Sequence, residues 1–222
     1  MARLDSGAVA VIGLGRFGES LALELMAGGT EVLGIDLDEQ LVQRLAGQLT
    51  HAVVADATND EALRQLSVDE FDRVVVGMGN NLEASILTCS VLQALGIQDI
   101  WAKAISEPHA RILKQLGVQH VVRPEHDTGR RVAHLIAGRM LDYIEFDDGY
   151  AIVKMRPPTA ILGRTLAETG IRREYGVTIV GVKRPREDFT YAVPATVLYD
   201  GDLIIVSGNR AKVETFAELN SS

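Results

Sequence analysis

The chain has 222 residues, 47% of them apolar and 23% charged, a balance that excludes a disordered chain and leaves length for a substantial core. Against 22 Lys and Arg stand 30 Asp and Glu, and the formal net charge of −8 argues against nucleic acid as a partner. No apolar run approaches the ~18–20 residues of a membrane span and the amino terminus lacks a signal-peptide pattern, which predicts a soluble, non-secreted protein that works at a membrane only through a partner.

Residues 1–125 alternate between two periods. Short β-rich runs are predicted at 8–12, 31–36, 51–56, 73–78, 99–105 and 120–123. Segments with helical spacing lie between them: Phe17, Leu21, Leu25 and Met26 share one stripe, as do Leu41, Val42 and Leu45, and then Ile86, Leu87, Val91 and Leu95. Gly28, Gly47, Gly96 and Gly117 follow helix ends, where glycine is favoured. Repeated strand–helix alternation predicts an α/β fold, a Rossmann-like doubly wound parallel sheet with helices on both faces. Val74, Val75 and Val76 are apolar in succession, which suits a strand covered on both sides.

The texture changes after residue 125. One longer helix is predicted over 128–143, and an acidic stretch over 145–148 ends at Gly149, so 126–149 reads as a crossover helix and linker. From residue 150 to 222 the strands shorten and turn residues become denser. Strands are predicted at 150–156, 178–183 and 203–207, a short helix at 165–169 with a Thr165/Glu168 capping box, a loop at 194–197, and a terminal helix at 210–219. This predicts a second, small α+β domain.

The strongest local signal is Gly13-Leu14-Gly15-Arg16-Phe17-Gly18, directly after the first strand and opening a helix. Gly13 permits the tight turn, Gly15 lets a phosphate approach the backbone, and Gly18 lets the helix pack closely on the strand. The helix amino terminus then offers N–H groups and partial positive charge to an anion. Asp36 closes the second strand, 18 residues beyond Gly18, where a carboxylate accepts hydrogen bonds from ribose hydroxyls. An acid there, with no Arg directly after it, argues against a 2′-phosphate. Asp56 and Ala57 close the third strand, where an adenine edge is read; a cap for the helix near Asn59 is the competing reading of Asp56. Gly79 and Asn80 close the fourth, where Gly79 lets the chain pass close to a ligand and Asn80 or Asn81 caps the next helix instead. Arg16 at a helix amino terminus opposes the helix dipole at a cost of a few tenths to about 1 kcal/mol, which a bound polyphosphate reverses; an ordinary exposed arginine is the competing reading.

Other chemistries find little support. The single Cys89, in an apolar helical stretch, excludes an internal disulfide and reads as a buried thiol. The five His form no His-x-x-x-His pair, and residues 150–222 contain neither His nor Cys. With no acid/base set of the kind a dehydrogenase needs, the site reads as one that binds a nucleotide and reports it, not as an enzyme. An NAD-dependent oxidoreductase is the competing reading and rests on the glycine fingerprint alone; an adaptor of a different cation channel is the other.

The phosphate loop, Ile35-Asp36, Asp56-Ala57-Thr58, Ile100-Trp101-Ala102-Lys103-Ala104, and the run from His120 to Glu125 followed by Asp127-Thr128-Gly129 together resemble the KtrA/TrkA regulators of bacterial potassium uptake. Leu162-Gly163-Arg164-Thr165-Leu166-Ala167-Glu168 and the run from Asp200 to Gly208 fit as well. The resemblance covers nearly the whole chain and is to the short KtrA type. It implies an amino-terminal RCK domain (regulator of potassium conductance) of Rossmann type and a smaller α+β RCK domain at the carboxy end. It implies a cytoplasmic homodimer that assembles into an octameric ring on the inner face of the membrane, docked on a potassium-transporting subunit of KtrB/TrkH type. The implied cofactors are ATP and ADP, with NAD(H) bound by some members. Carried over to this sequence, Gly13, Gly15, Phe17 and Gly18 belong to the phosphate loop, Asp36 holds the ribose, and Arg16 senses the third phosphate. Asp56, Ala57, Gly79, Asn80 and Lys103 complete the nucleotide site. Glu125 helps hold Mg2+ or a monovalent cation at the ATP phosphates, or is a surface acid after Pro124. Some relatives bind cyclic di-AMP in the second domain; here Ile161, Ile171, Arg172 and Pro194 occupy the corresponding stretches, where ordinary small-domain core or interface is the other reading. Arg172-Arg173 and Lys183-Arg184-Pro185-Arg186 form the basic clusters of the chain, read either as solvated loop charges or as contacts to a partner or anion.

Overall fold

The computed structural model describes residues 7–138, 140–146 and 148–219. The amino-terminal segment 1–6, and Arg139 and Asp147 within the predicted crossover segment, lie outside the described residues. The chain divides into two compact units, residues 1–125 and 126–222.

The first unit alternates strand and helix throughout: β1 (Val9–Ile12), α1 (Arg16–Ala27), β2 (Val32–Asp36), α2 (Glu39–Leu45), β3 (His51–Val54), α3 (Asp60–Gln65), β4 (Arg73–Val76), α4 (Leu82–Ala94), β5 (Asp99–Lys103), α5 (Glu107–Gln115) and β6 (His120–Val122). The strands form one parallel six-stranded sheet in the order β3-β2-β1-β4-β5-β6. The order reverses between β1 and β4, and the crevice outside the carboxyl ends of those strands is where such sheets take ligands. The predicted strands over 51–56, 73–78 and 99–105 each stop about two residues early.

Consecutive apolar residues in β1 and β4 are explained by cover on both faces. Val9, Val11, Val32 and Val75 pack toward Ala22 of α1 and Val42 and Leu45 of α2. Ala10, Ile12, Ile35, Val76 and Ile100 pack toward Leu63 of α3, Leu92 of α4 and Leu113 of α5. Cys89 is buried in this second layer, and burial pushes its thiol up to about 12, which keeps it protonated and unreactive. Side-chain caps fix the helix starts: Asp38 for α2, Asn59 for α3, Asn81 for α4 and Ser106 for α5.

The second unit departs from the predicted elements at its start. The helix expected over 128–143 is α6 (Pro124–Ile136). Pro124 sits at its first residue, where its missing N–H costs nothing. Gly138, at φ +75°, follows its end. The residues beyond, read as helix and acidic linker, instead form strand β7 (Asp142–Glu145), paired antiparallel with β8 (Tyr150–Met155). Alternation decides this: Tyr143 faces the core while Ile144 is exposed, the period of a half-buried strand. Then follow α7 (Leu166–Thr169), α8 (Ile171–Glu174), β9 (Val177–Lys183), β10 (Phe189–Tyr191), β11 (Leu203–Asn209) and α9 (Arg210–Glu218). The five strands form an antiparallel sheet in the order β10-β9-β11-β8-β7. Strand β10 and helix α8 were not predicted; both are short and carry weak periodic signals. Val213, Phe216 and Ala217 of α9 are fully buried in a core with Met155, Leu198 and Val206. The fold is thus a parallel Rossmann-type unit followed by an antiparallel α+β unit.

Candidate functional site

The glycine loop is held by contacts that leave no room for side chains. Gly13 has φ +90°, and a Cβ there would meet the backbone of Met78 at 2.9 Å. A Cβ on Gly18 would stand 1.8 Å from the Gly13 carbonyl oxygen. Gly77 was not singled out by sequence, yet a Cβ on it would lie 2.9 Å from that same oxygen; its only sequence signal is a glycine directly after a strand. Gly15 differs. It is exposed, a Cβ on it would meet nothing within 4 Å, and it caps α1 without a side-chain acceptor. The first turn of α1 is therefore open to an anion from outside.

Asp36 is tied into this loop. Its Oδ2 accepts the Leu14 amide at 2.6 Å and its Oδ1 the Asp38 amide at 2.9 Å. Each carboxylate oxygen accepts more than one hydrogen bond, so the acid both shapes the loop and keeps capacity for hydroxyl donors. Asp56 has a local task. Its Oδ1 accepts the Thr58 hydroxyl at 2.7 Å and amide at 2.9 Å, and these bonds, the hydroxyl first, hold its carboxyl below the usual range. The cap of α3 is Asn59, not Asp56. Ala57 is buried beside the loop end of β3. Asn81 caps α4 through the Ala84 amide, while Asn80 is exposed in the bend before it.

Across the switch point the structure gathers five of the predicted residues. Lys103 ends β5 with its side chain only 11% exposed, and its Nζ lies 2.5 Å from Glu125 Oε1. The same Nζ lies 5.7 Å from the centre of the Phe17 ring. A Cβ on Gly79 would come within 3.3 Å of it, so this glycine makes room for the ammonium. The Lys103 hydrogen bond, chiefly, holds the Glu125 carboxyl below its ordinary range, and the charge of Arg16 adds to the effect. Phe17, Gly79, Lys103, Glu125 and Arg16 thus converge at one edge of the crevice. Asp56 and Ala57 lie at the β3 end, on the other side of the switch point.

Glu125 is one carboxylate, and among the described residues no three His, Cys, Asp or Glu gather to hold a metal. Mg2+ at a nucleotide takes one or two carboxylates and completes its shell with phosphate oxygens and water. The residues fit a cation only together with a bound polyphosphate.

The second unit carries a cavity of about 670 Å3 whose walls include Arg164, Ile171, Arg172, Arg173, Ala192 and Pro194. Three of the four residues singled out there by sequence meet in one cavity. Ile161 does not; it is 5% exposed in the core of the unit. Arg173, read from sequence only as part of a basic pair with Arg172, lines the cavity as well, and Arg164 was missed. Arg164 donates to the Glu168 carbonyl at 2.7 Å, and Gly170, at φ +62°, turns the chain between α7 and α8 so that the arginines of α8 reach the same cavity. Among the described residues no helix is long and apolar enough to cross a membrane.

Residues 9–124 match the TrkA-N domain family and residues 150–221 the TrkA-C domain family. The chain is 37% identical over 208 residues to the Ktr system potassium uptake protein C of Bacillus subtilis strain 168, covering 93% of this chain and 94% of that protein. It is 35% identical over 205 residues to the Ktr system potassium uptake protein A of Vibrio alginolyticus, covering 92% and 93%. Among solved structures, the GsuK RCK domain superposes with a TM-score of 0.66 at 20% identity, over all of this chain and 49% of that one. The GsuK channel bound to NAD superposes with a TM-score of 0.53 at 26% identity, over all of this chain and 39% of the channel chain.

Proposed function

This chain belongs to the Ktr/TrkA family of potassium uptake proteins, with one TrkA-N and one TrkA-C (RCK) domain, and from that premise we propose that it is the cytosolic regulatory subunit of a bacterial potassium uptake system. In this reading it binds a nucleotide in the first unit and switches a membrane transporter subunit of KtrB/TrkH type, from the inner face of the membrane. It works as a homodimer within an octameric ring and carries out no catalysis of its own. The observation that carries the reading is the convergence at the switch point: a glycine loop opening α1, Asp36 holding that loop, and Lys103, Arg16 and Glu125 at its far edge.

The proposed ligands are ATP and ADP. The adenosine ribose meets Asp36, the phosphates meet the amides of Gly15, Arg16 and Phe17, and Arg16 meets the third phosphate. A cation at the phosphates, Mg2+ or monovalent, takes Glu125 as its protein ligand. A ligand shifts a conformational equilibrium only by its difference in affinity for the two states, and the third phosphate supplies that difference between ATP and ADP. NAD(H) is the second reading for the same crevice. It is supported by the likeness to the NAD-bound GsuK channel and by an acid at Asp36. For the second unit, cyclic di-AMP is the proposed ligand of the arginine-walled cavity.

The test is equilibrium binding of ATP, ADP, NAD+ and NADH to nucleotide-stripped protein, with and without Mg2+. Tight ATP and ADP binding with a cation effect on ATP alone supports the switch. Strong NADH binding with weak ATP binding moves the reading to redox sensing.

A further inference from the structure

The Lys103–Glu125 pair is asymmetric. Lys103 is 11% exposed and enclosed by Phe17 and Gly79, whereas Glu125 is 66% exposed at the start of α6. An ammonium this buried needs a counter-charge, because desolvating it without one costs several kcal/mol. Glu125 has no such need, since its carboxylate is nearly as well solvated away from Lys103. The lysine is therefore the fixed member of the pair and the glutamate the exchangeable one.

We propose that Glu125 is an internal competitor of the incoming anion for Lys103. A phosphate group of the ligand replaces the Glu125 carboxylate on Nζ when the crevice fills. The proposal rests on the nucleotide-binding reading above and adds the regulation of that site. The place where exchange occurs is set by geometry: Phe17, whose ring faces Lys103 Nζ, is the second residue of α1, one after the helix start that receives the anion. A terminal phosphate carries about −1.5 to −2 charge at neutral pH, so it out-competes a single carboxylate for the same ammonium. Exchange also leaves Glu125 as an uncommitted carboxylate at the lip of the crevice only while the ligand is bound. The fold thus couples occupancy of the phosphate site to the availability of Glu125.

The experiment is calorimetric titration of ADP and of NAD+ into wild type, E125Q, K103M and the double variant, all in EDTA so that no cation role contributes. Removal of the competitor makes E125Q bind about two- to five-fold more tightly than wild type, the range expected when a pair with one exposed partner is lost. K103M binds more weakly than wild type, and adding E125Q to K103M brings no gain. An E125Q affinity equal to or below wild type for every ligand that binds overturns the proposal while leaving the nucleotide reading intact. A gain that persists in the K103M background also overturns it. Absence of binding to wild type and all variants overturns the nucleotide reading and this proposal together. Glu125 is exposed, so E125Q carries the test by itself whatever K103M does to folding.

Discussion

The amide of Leu14 donates to Asp36 Oδ2 at 2.6 Å across 22 residues of chain, joining the tip of the glycine loop to the end of the neighbouring strand. Leu14 is fully buried, so removing its acceptor strands a buried N–H. Asp36→Ala should therefore cost about 1–3 kcal/mol of stability, in the range of hydrogen bonds to charged groups, in addition to weakening nucleotide binding. Asp36→Asn keeps an acceptor and should lose much less stability. Urea unfolding and nucleotide titration on both variants separate the two roles; equal stability of wild type and the alanine variant would show that the bond does not hold the loop.

Gly15 and Gly18 should respond in opposite ways. A methyl on Gly18 collides with the Gly13 carbonyl, which is backbone on a strained turn and cannot yield cheaply. Gly18→Ala should lower the melting temperature severely, at more than about 2 kcal/mol. Gly15→Ala meets nothing within 4 Å in the protein. It should leave the melting temperature nearly unchanged and weaken nucleotide binding instead. Thermal melts with and without ADP distinguish the two.

Arg16 lies at the exposed start of α1 and its charge reaches Glu125. Arg16→Ala should reduce the preference between ATP and ADP while leaving ADP affinity largely intact. Competition binding of the two nucleotides checks this, and equal loss of both would remove the third-phosphate role from Arg16.

His109 should govern part of the acid sensitivity. It is 1% exposed, its Nδ1 accepts the Ile105 amide, and burial holds its pKa below the ordinary 6.5. The unfolded chain takes up the proton first, so the stability linked to neutral His109 is present above about pH 6.5 and is lost as pH falls below it. Glu125 and Asp142, whose carboxyls are held low by Lys103 and Arg131, act in a lower window. Their contribution is present above the ordinary carboxylate range and disappears on acidification through it. Urea midpoints at pH 7.5 and 5.5 should converge in His109→Asn relative to wild type.

In the second unit, Arg172→Ala should weaken cyclic di-AMP binding about ten-fold or more, as expected for a lost charge-assisted contact to a phosphate, and leave stability nearly unchanged. Ile161→Ala should do the reverse, because the side chain is core: a loss of about 2–5 kcal/mol with little direct effect on the ligand. Binding by calorimetry and melting curves on the two variants check the pair.

Much of this was legible in the sequence because it is local. The change from period 2 to period 3.6, the glycine spacing after β1, and the Thr165/Glu168 capping box are properties of neighbouring residues, and each appears in the structure where it was expected. Short elements with little periodicity were not legible. Strand β7 lies in a segment whose Tyr143 also fits a helical stripe, and only its pairing with β8 makes it a strand. Strand β10 has three exposed residues and depends on β9 for its existence.

The sequence by itself determined the two-part chain and the glycine loop after the first strand, since backbone preference and short-range spacing are written in consecutive residues. Tertiary structure alone decided that Lys103 meets Glu125, that Asp36 holds Leu14, that Gly77 must be glycine, and that Arg164 and Arg173 share a cavity while Ile161 does not. The physical reason is that these relations join residues on different elements. The strand order β3-β2-β1-β4-β5-β6 brings the ends of β1, β4 and β5 to one crevice, and no spacing along the chain encodes which buried ammonium will find which carboxylate there.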